Sequence, residues 1–160
     1  RPIHNTDMAP ALTAAEMTEW LEEVFPEVMQ GGDSMSVESV GYGVCRIRLR
    51  FKPKQLRPGG TISGPTMMGL SDFSVYVAVL AALGKVPLAV TSSLNINFFR
   101  KPPPKDLIAD CALLKIGKRL CVGEATILPD GEDEPVAHAV ATYAIPAAGG
   151  EERGLSPSLG

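Results

Sequence analysis

The chain has 160 residues, of which 45% are hydrophobic and 21% charged, and its formal net charge is -3 at pH 7. This length suits one domain whose core needs neither disulfides nor a metal ion. The mildly acidic balance disfavours nucleic acid as a partner, because proteins that bind nucleic acids usually carry a clear basic excess.

Cysteine and histidine usage argues against a metal centre. The sequence has no C-x-x-C motif, and single cysteines lie in apolar, strand-like segments at Cys45, Cys111 and Cys121. The two histidines, His4 and His138, are far apart in the sequence. We therefore predict buried, reduced thiols, no metal and no cofactor. Reduced thiols and a polar start without a signal-peptide pattern lead us to expect a cytoplasmic protein.

The first predicted element is a helix over residues 13–28. Residues 13–16 (TAAE) form a capping box, and apolar residues follow at helical spacing: Met17, Trp20, Leu21, Val24 and Phe25. Pro26 is expected to end the regular part of this helix or to begin a looser turn. The sequence GGD at residues 31–33 then breaks the chain.

A strand with a period of two follows. Its apolar positions, Cys45, Ile47, Leu49 and Phe51, alternate with Arg46, Arg48 and Arg50. One face of this strand is therefore expected to be buried and the other to face water. We interpret the arginine stripe as a solvated outer surface rather than a nucleotide site, because charge patterns of this kind have little specificity.

A loop rich in Pro and Gly at residues 52–62 leads into an apolar segment, residues 64–84, that is long enough to cross a bilayer. Ser63 or Gly64 is placed to cap a helix here, with a proline in its first turn. Asp72 lies near the middle of the segment, and no basic flank marks a cytoplasmic side. We interpret the segment as a core helix enclosed by protein, and we expect no membrane partner.

Four further strands are predicted, over residues 88–100, 107–116, 120–128 and 135–145, with a hairpin turn at 130–132. The order of elements indicates an α+β architecture in which antiparallel strands surround one apolar helix. We divide the chain into an N-terminal extension (1–12), one domain (13–146) and a disordered tail (147–160) rich in Gly, Ser and Glu.

Several segments together resemble one family. Residues 57–65 read RPGGTISGP and are followed seven residues later by Asp72, while residues 90–98 read VTSSLNINF, residues 115–119 KIGKR and residues 136–139 VAHA. Over residues 35–146 this combination resembles the hotdog-fold acyl-CoA thioesterases of the PaaI-like group. Three positions depart from the family pattern, because its Asn is Arg57 here, its His is Ser63 and its second Gly is Pro65.

The resemblance implies a hotdog fold, in which an antiparallel sheet of five to six strands wraps around one long central helix, here with an extra N-terminal helix. It also implies hydrolysis of an acyl- or aryl-acyl-CoA thioester to the free acid and CoA, without a cofactor. Because the family joins its sheets edge to edge, the resemblance implies a homodimer and favours a homotetramer.

Thioester hydrolysis needs a carboxylate that attacks the thioester or activates water, and a donor to the developing oxyanion. Asp72 suits the first role, and the unpaired N–H of Gly64 at a helix N-terminus suits the second. The two residues are eight positions apart, about 12 Å along a helix, so one thioester cannot reach both within a single chain. The sequence therefore predicts an active site shared between two copies of the helix. The resemblance adds Thr91 as a residue that helps to hold the nucleophilic water.

The predicted substrate contacts are Arg57, Ser63, Pro65, Met68, Arg100, Lys101, Lys118 and Arg119. The last four lie at strand ends where the family places the nucleotide of coenzyme A, and cations suit its phosphates. Arg57 is able to bind a substrate carboxylate or to pair with Asp72. Met68 belongs to an adaptable apolar surface suited to a long apolar or aryl acyl group.

Two other functions stay open at this point. The departures at Arg57, Ser63 and Pro65 favour a non-catalytic acyl-CoA-binding module. A hotdog hydratase or dehydratase needs a histidine paired with the acid for proton transfer. Neither His138 in the last strand nor His4 in the N-terminal extension suits that role.

Overall fold

The computed structural model of the chain describes residues 8–29 and 35–147. Its helices are α1 (Ala14–Val24), α2 (Pro26–Met29) and α3 (Gly64–Leu83). Its strands are β1 (Met35–Gly41), β2 (Val44–Leu49), β3 (Leu56–Arg57), β4 (Thr61–Ile62), β5 (Val90–Phe98), β6 (Leu107–Ile116), β7 (Leu120–Pro129) and β8 (Ala137–Ala144). His4, the predicted break at 31–33 and nearly all of the predicted tail lie outside the described residues. The division into extension, domain and tail stays a prediction.

The N-terminal helix begins where its capping box predicts. The hydroxyl of Thr13 accepts the N–H of Glu16 at 3.1 Å, and the Glu16 carboxylate accepts the N–H of Thr13 at 2.9 Å. Its regular part ends just before Pro26, as expected, because Phe25 leaves the helical conformation, and Pro26 begins the short helix α2 within the range predicted for one helix. A proline disfavours the helical conformation in the residue before it and is well suited to the first position of a new helix.

Six strands form one sheet in the order β1-β2-β6-β7-β8-β5, and every pair of neighbours is antiparallel. The hairpin predicted at residues 130–132 joins β7 to β8, with Gly131 at a positive φ of 81°. Two predicted strands are shorter than expected: the strand predicted at 88–100 covers 90–98, and the strand predicted at 135–145 covers 137–144. This sheet and the helix packed against it confirm the predicted α+β architecture.

The loop predicted at residues 52–62 contains structure that the sequence did not predict. A short 3-10 helix (Pro53–Gln55) precedes the two-residue strands β3 and β4, which pair as a hairpin. Gly59 and Gly60 make its turn at φ values of 103° and 78°, which favour glycine. This hairpin places Arg57 beside the start of α3.

The apolar segment predicted as a core helix is α3, and this prediction is confirmed. By length and composition α3 could cross a membrane, but 67% of its most apolar stretch is buried against the sheet. Its buried serines, Ser71 and Ser74, donate to the carbonyls of Met67 and Leu70 at 2.9 and 2.7 Å. The helix approaches β7 closely at Gly123, where an added Cβ would lie 2.9 Å from the Val75 side chain.

The arginine stripe of β2 lies on the outer face of the sheet. Arg46 pairs with Asp110 at 2.9 Å, and Arg48 pairs with Asp106 at 3.0 Å and with Asp130 at 2.9 Å. The alternating apolar residues of β2 are buried on the opposite face. Both arginines are therefore occupied by acidic neighbours, as expected for a solvated surface rather than a nucleotide site. The three cysteines are buried and free, as predicted.

Candidate active site

Asp72 lies near the middle of α3, as the ninth of its 20 residues, next to the ends of β5 and β8. Its Oδ1 oxygen accepts a hydrogen bond from the Thr91 hydroxyl at 2.6 Å and another from the Tyr143 hydroxyl at 2.7 Å. Tyr143 also donates to the backbone carbonyl of Asp72 at 3.0 Å. Among the described residues nothing donates to Oδ2, so one carboxylate oxygen is anchored and the other is available to a substrate or water.

The sheet brings the two hydroxyl donors together. Thr91 and Tyr143 are direct cross-strand partners in the pairing of β5 with β8. A bulge at Ser92 follows at once, because the register shifts between Thr91 and Ser93. Bulges re-aim side chains and are common beside active sites. The bulge in β5 and the two hydroxyls therefore lie beside Asp72, the carboxylate that the sequence predicted to be catalytic.

The sequence did not predict Tyr143 as a site residue. The inward-facing positions of β8 are Ala137, Ala139, Ala141 and then Tyr143, so the one large polar side chain on an alanine face was the available signal. Burial raises the pKa of Tyr143 well above its ordinary value. The negative charge of Asp72 acts in the same direction, while the neighbouring Thr91 hydroxyl acts against it. Tyr143 therefore stays protonated and donates at neutral pH.

Gly64 is the first residue of α3, and Ser63 caps the helix. The Ser63 hydroxyl accepts the N–H of Thr66 at 3.3 Å, which confirms its predicted capping position. The N–H of Gly64 belongs to the first turn, where amides have no acceptor within the helix. An added Cβ on Gly64 would lie 3.4 Å from the Phe98 ring, so this helix end sits against the far end of β5.

Gly64 and Asp72 do not meet in one protomer. Both belong to the continuous helix α3, about 12 Å apart along its axis. Gly64 lies at the Phe98 end of β5 and Asp72 at the Thr91 end. The expected separation of the two groups is therefore present, and a site that uses both needs a second copy of the chain.

Comparisons with known proteins identify the family. The thioesterase superfamily matches residues 59–136. A crystal structure of a candidate thioesterase from Silicibacter sp. TM1040 is 41% identical, with a TM-score of 0.78, and the match covers 87% of this chain and 95% of that one. The chain belongs to the thioesterase superfamily.

Two further proteins are similar to this chain at lower sequence identity. A candidate esterase of Saccharolobus solfataricus is 28% identical over 145 residues, 89% of this chain and 92% of that protein. The Escherichia coli PaaI protein from the phenylacetic acid degradation operon is 17% identical, with a TM-score of 0.72, over 82% of this chain and 92% of that one. The second likeness concerns the fold alone. Together with the topology, it confirms the predicted hotdog fold.

Three of the predicted cationic contacts of this thioesterase-superfamily chain lie together. Arg57, Arg100 and Lys101 line a shallow pocket of about 410 Å³ at the Gly64 end of α3. Arg100 is held there by the Glu132 carboxylate at 2.9 Å. In the part of the chain that the structure describes, Arg57 and Lys101 form no ion pair. Asp72 bonds Thr91 and Tyr143 instead of Arg57, so the alternative of an Arg57–Asp72 pair does not occur within a protomer.

Lys118 and Arg119 lie elsewhere. They form the turn between β6 and β7, where the Arg119 carbonyl accepts the N–H of Ile145 just beyond the end of β8. This is the Val90 end of β5, because Val90 pairs with Ala144. The predicted nucleotide contacts therefore form two groups, separated by the length of β5, about 27 Å for its nine residues.

Pro65 and Met68 are exposed on α3. Met68 is 39% exposed, whereas its neighbour Met67 is buried and lines the pocket with Arg57. Met67 therefore faces the pocket and Met68 faces away from it within one protomer, and a contact between Met68 and the substrate stays a prediction. Helical geometry explains the difference, because consecutive residues point about 100° apart around the axis.

A second cavity, of about 410 Å³, lies beside Asp72 and was not predicted. Its walls are mostly apolar and come from both ends of the chain: Phe25, Val28, Met35, Gly69, Phe73, Tyr76, Ala89, Val90, Thr91 and Tyr143. We refer to it as the Asp72 cavity. Sequence spacing could not reveal it, since Phe25 and Val28 come to lie beside Tyr76 of α3 only in the folded protein.

His138 lies away from Asp72. It faces the outer side of β8 and contacts the Glu124 carboxylate at 2.9 Å. It therefore cannot serve as the proton-transfer partner of Asp72 in the same protomer, which counts against the hydratase alternative. Among the described residues, no group of three or more His, Cys, Asp or Glu side chains could hold a metal ion. The predicted lack of a cofactor stays a prediction.

Proposed function

We propose that this protein hydrolyses an acyl-CoA or aryl-acyl-CoA thioester to the free acid and CoA, with Asp72 as the catalytic carboxylate. One observation carries the proposal: the carboxylate of Asp72 is fixed through Oδ1 by two hydroxyls, beside a mostly apolar cavity large enough for an acyl group. Membership of the thioesterase superfamily supports the hydrolase class. The chemistry needs water as the only co-reactant.

In the general-base route, Oδ2 of Asp72 takes a proton from a water molecule whose oxygen attacks the thioester carbonyl carbon. Thr91 and Tyr143 hold the carboxylate so that Oδ2 faces the attacked carbon. The carbonyl oxygen becomes an oxyanion, which a backbone N–H stabilises. The tetrahedral intermediate then expels the CoA thiolate, and the thiolate recovers the proton from Asp72.

In the nucleophilic route, Oδ2 attacks the carbonyl carbon directly and the CoA thiolate leaves, which gives a mixed anhydride. Water then cleaves the anhydride, which releases the free acid and restores the Asp72 carboxylate, while one proton of the water goes to the CoA thiolate. Both routes use the same anchored carboxylate and the same oxyanion donor. Transfer of oxygen from labelled water into Asp72 in a single turnover supports the nucleophilic route, because water that attacks the Asp72 carbonyl of the anhydride leaves its oxygen there and the general-base route does not permit this.

A second copy of the chain supplies the oxyanion donor. β5 is an edge strand that pairs only with β8 among the described strands, and its exposed apolar residues include Val90 at 58% and Phe98 at 48%. A long apolar edge strand favours pairing with another strand. In antiparallel pairing between two copies of β5, the Thr91 end of one meets the Phe98 end of the other. Asp72 then lies near the partner's Gly64.

The same pairing accounts for the two groups of cations. Arg57, Arg100 and Lys101 lie at the Phe98 end of β5, whereas Lys118 and Arg119 lie at the other end. Antiparallel pairing brings the first group of one copy next to the second group of its partner. Such a surface suits the phosphates of CoA. We propose a homodimer as the active unit, and the homotetramer and the cytoplasmic location stay predictions.

A panel of acyl-CoAs with thiol detection tests the function. Release of CoA by the wild-type protein, lost in Asp72→Asn, supports hydrolysis at this site. Binding without turnover selects the acyl-CoA-binding module, which is favoured by Pro65 because a proline has no N–H to serve as a second oxyanion donor. Hydration of an enoyl-CoA in the same panel would overturn the proposal in favour of a hydratase.

A further inference from the structure

The Asp72 cavity is lined by a tyrosine, Tyr76, whose hydroxyl has no hydrogen-bond partner in the part of the chain that the structure describes. Tyr76 is only 4% exposed, and its oxygen is buried with no hydrogen bond among the described residues. A buried hydroxyl left unpaired is destabilising, and folded proteins rarely contain one without a reason. Burial raises the pKa of Tyr76, so the group is neutral and able both to donate and to accept.

Tyr76 lies next to the reaction centre. It follows Asp72 by four residues, one turn of α3, about 6 Å along the axis. Its ring centroid is 5.9 Å from that of Tyr143, whose hydroxyl bonds Asp72. An acyl group whose thioester carbonyl sits at Asp72 and whose chain enters the cavity therefore extends toward Tyr76.

Phe25 covers Tyr76 from the outside. The two rings meet edge to face, with centroids 5.6 Å apart and planes at 82°. Phe25 lies between α1 and α2, and its backbone is fixed by its N–H to the Leu21 carbonyl at 2.7 Å and by its carbonyl to the Val28 N–H at 3.1 Å. Its side chain is 37% exposed, so one side of the ring packs on Tyr76 and the other faces solvent.

We propose that the Asp72 cavity receives the acyl group and that Tyr76 hydrogen-bonds an oxygen atom carried by that group beyond the thioester carbonyl. The preferred substrates are then hydroxy-, oxo- or alkoxy-acyl thioesters rather than hydrocarbon acyl thioesters. This inference rests on the proposed function.

The selectivity follows from the environment of the hydroxyl. Val28, Met35 and Phe73 form apolar walls near it and offer no competing hydrogen bond. A hydrocarbon acyl group fills the space but offers the hydroxyl of Tyr76 no hydrogen-bond partner. Sites that contain a buried polar group discriminate strongly against ligands that cannot pair with it. An oxygen-bearing acyl group satisfies the hydroxyl, so Tyr76 is the residue that determines this preference.

Matched substrate pairs test the inference with Tyr76→Phe, which removes only the hydroxyl. A saturated six-carbon acyl-CoA is compared with its hydroxy and oxo derivatives at successive carbons, and an aryl-acyl-CoA with its ring-hydroxylated forms. We expect kcat/KM to favour at least one oxygen-bearing member by about 10-fold, the scale of one hydrogen bond. Tyr76→Phe should bring that ratio close to one, while Tyr42→Phe, in the turn between β1 and β2, should keep it.

The outcomes separate this inference from the function it rests on. Hydrolysis with no preference for any oxygen-bearing acyl group, or a preference that Tyr76→Phe retains, overturns the role of Tyr76 and leaves the thioesterase activity standing. If no thioester is hydrolysed, the proposed function fails. Calorimetry with the corresponding non-hydrolysable thioether analogues then decides the subsite, since tighter binding of the oxygen-bearing analogue must be lost in Tyr76→Phe.

Discussion

Thr91 and Tyr143 face each other across β5 and β8, and both donate to the same oxygen of Asp72, at 2.6 and 2.7 Å. Two donors from two neighbouring strands fix the carboxylate more firmly than one would, because its rotation breaks both hydrogen bonds. The anchored oxygen, Oδ1, is thereby distinguished from Oδ2. The proposed chemistry needs such a carboxylate, with one oxygen held and the other aimed at the substrate.

The first prediction concerns Tyr143. Tyr143→Phe keeps the ring and removes the hydroxyl, so it loosens Asp72 without emptying the core. We expect kcat to fall by about 10-fold, since a hydrogen bond to a charged group contributes about 1.5–3 kcal/mol and Thr91 still holds Oδ1. KM should change little, because the loss affects the reacting geometry rather than the binding of CoA.

Steady-state kinetics and a thermal melt of Tyr143→Phe decide between positioning and stability. The matched control is Tyr42→Phe, which removes a tyrosine hydroxyl far from Asp72 and should leave kcat unchanged. A Tyr143→Phe variant that melts earlier but turns over at the wild-type rate would mean that Tyr143 serves stability alone.

The second prediction concerns Asp72 itself. Asp72→Asn keeps the volume of the side chain and can still accept hydrogen bonds from Thr91 and Tyr143. The amide can neither take a proton nor form an anhydride, so kcat should fall by at least about 100-fold, the lower end for the loss of a general base. Fold and assembly should survive, as measured by circular dichroism and light scattering. A near-normal rate of hydrolysis in this variant would show that Asp72 is structural.

The third prediction concerns the proposed phosphate contacts. Replacing Lys118 and Arg119 together by Ala should raise KM for acyl-CoA while sparing a truncated pantetheine thioester, which lacks the nucleotide. Lys85→Ala, in the link between α3 and β5, is the control for the loss of a surface cation. Equal losses with both substrates would instead indicate a folding defect or a part in the chemistry.

Local sequence rules predicted much of the fold, because each depends on neighbouring residues. The capping box at Thr13 and the cap at Ser63 are present, and the alternation in β2 buries one face as expected. Asp72 stood out because it is the single charged residue in an otherwise apolar helix. An isolated carboxylate on a buried helix is costly, and that cost is what makes it a sign of function.

The remaining parts of the site depend on contacts between distant segments. Tyr143 is 71 residues from Asp72, and its partnership with Thr91 depends on the register of β5 against β8. The Asp72 cavity needs Phe25 from the N-terminal helices to meet Tyr76 of α3. Sequence periodicity identifies the buried face of an element but not the neighbour it packs against, so neither feature could be predicted.

The last prediction tests whether two copies share the site. Gly64→Pro removes the proposed oxyanion donor, since a proline has no N–H, and Gly64→Ala is the matched control because it adds the Cβ and keeps the N–H. The position tolerates a Cβ, which would lie in ordinary contact with the Phe98 ring at 3.4 Å. Alone, Gly64→Pro should lose at least about 100-fold in kcat, the cost of one oxyanion donor, while Gly64→Ala should keep most of the wild-type rate.

Complementation between inactive variants then tests whether the Gly64 N–H and the Asp72 carboxylate of one active site come from different chains. Gly64→Pro and Asp72→Asn chains, co-expressed with different affinity tags and purified through both, form heterodimers. If Asp72 works with the partner's Gly64, one of the two sites in each heterodimer has both wild-type groups and the other has neither. Activity should therefore recover far above that of either variant alone, up to about half of the wild-type rate for a two-fold symmetric dimer. If both groups acted within one chain, every site in the heterodimer would lack one of them. A mixed sample that stays as inactive as its parents, with light scattering confirming dimers, would contradict the shared site.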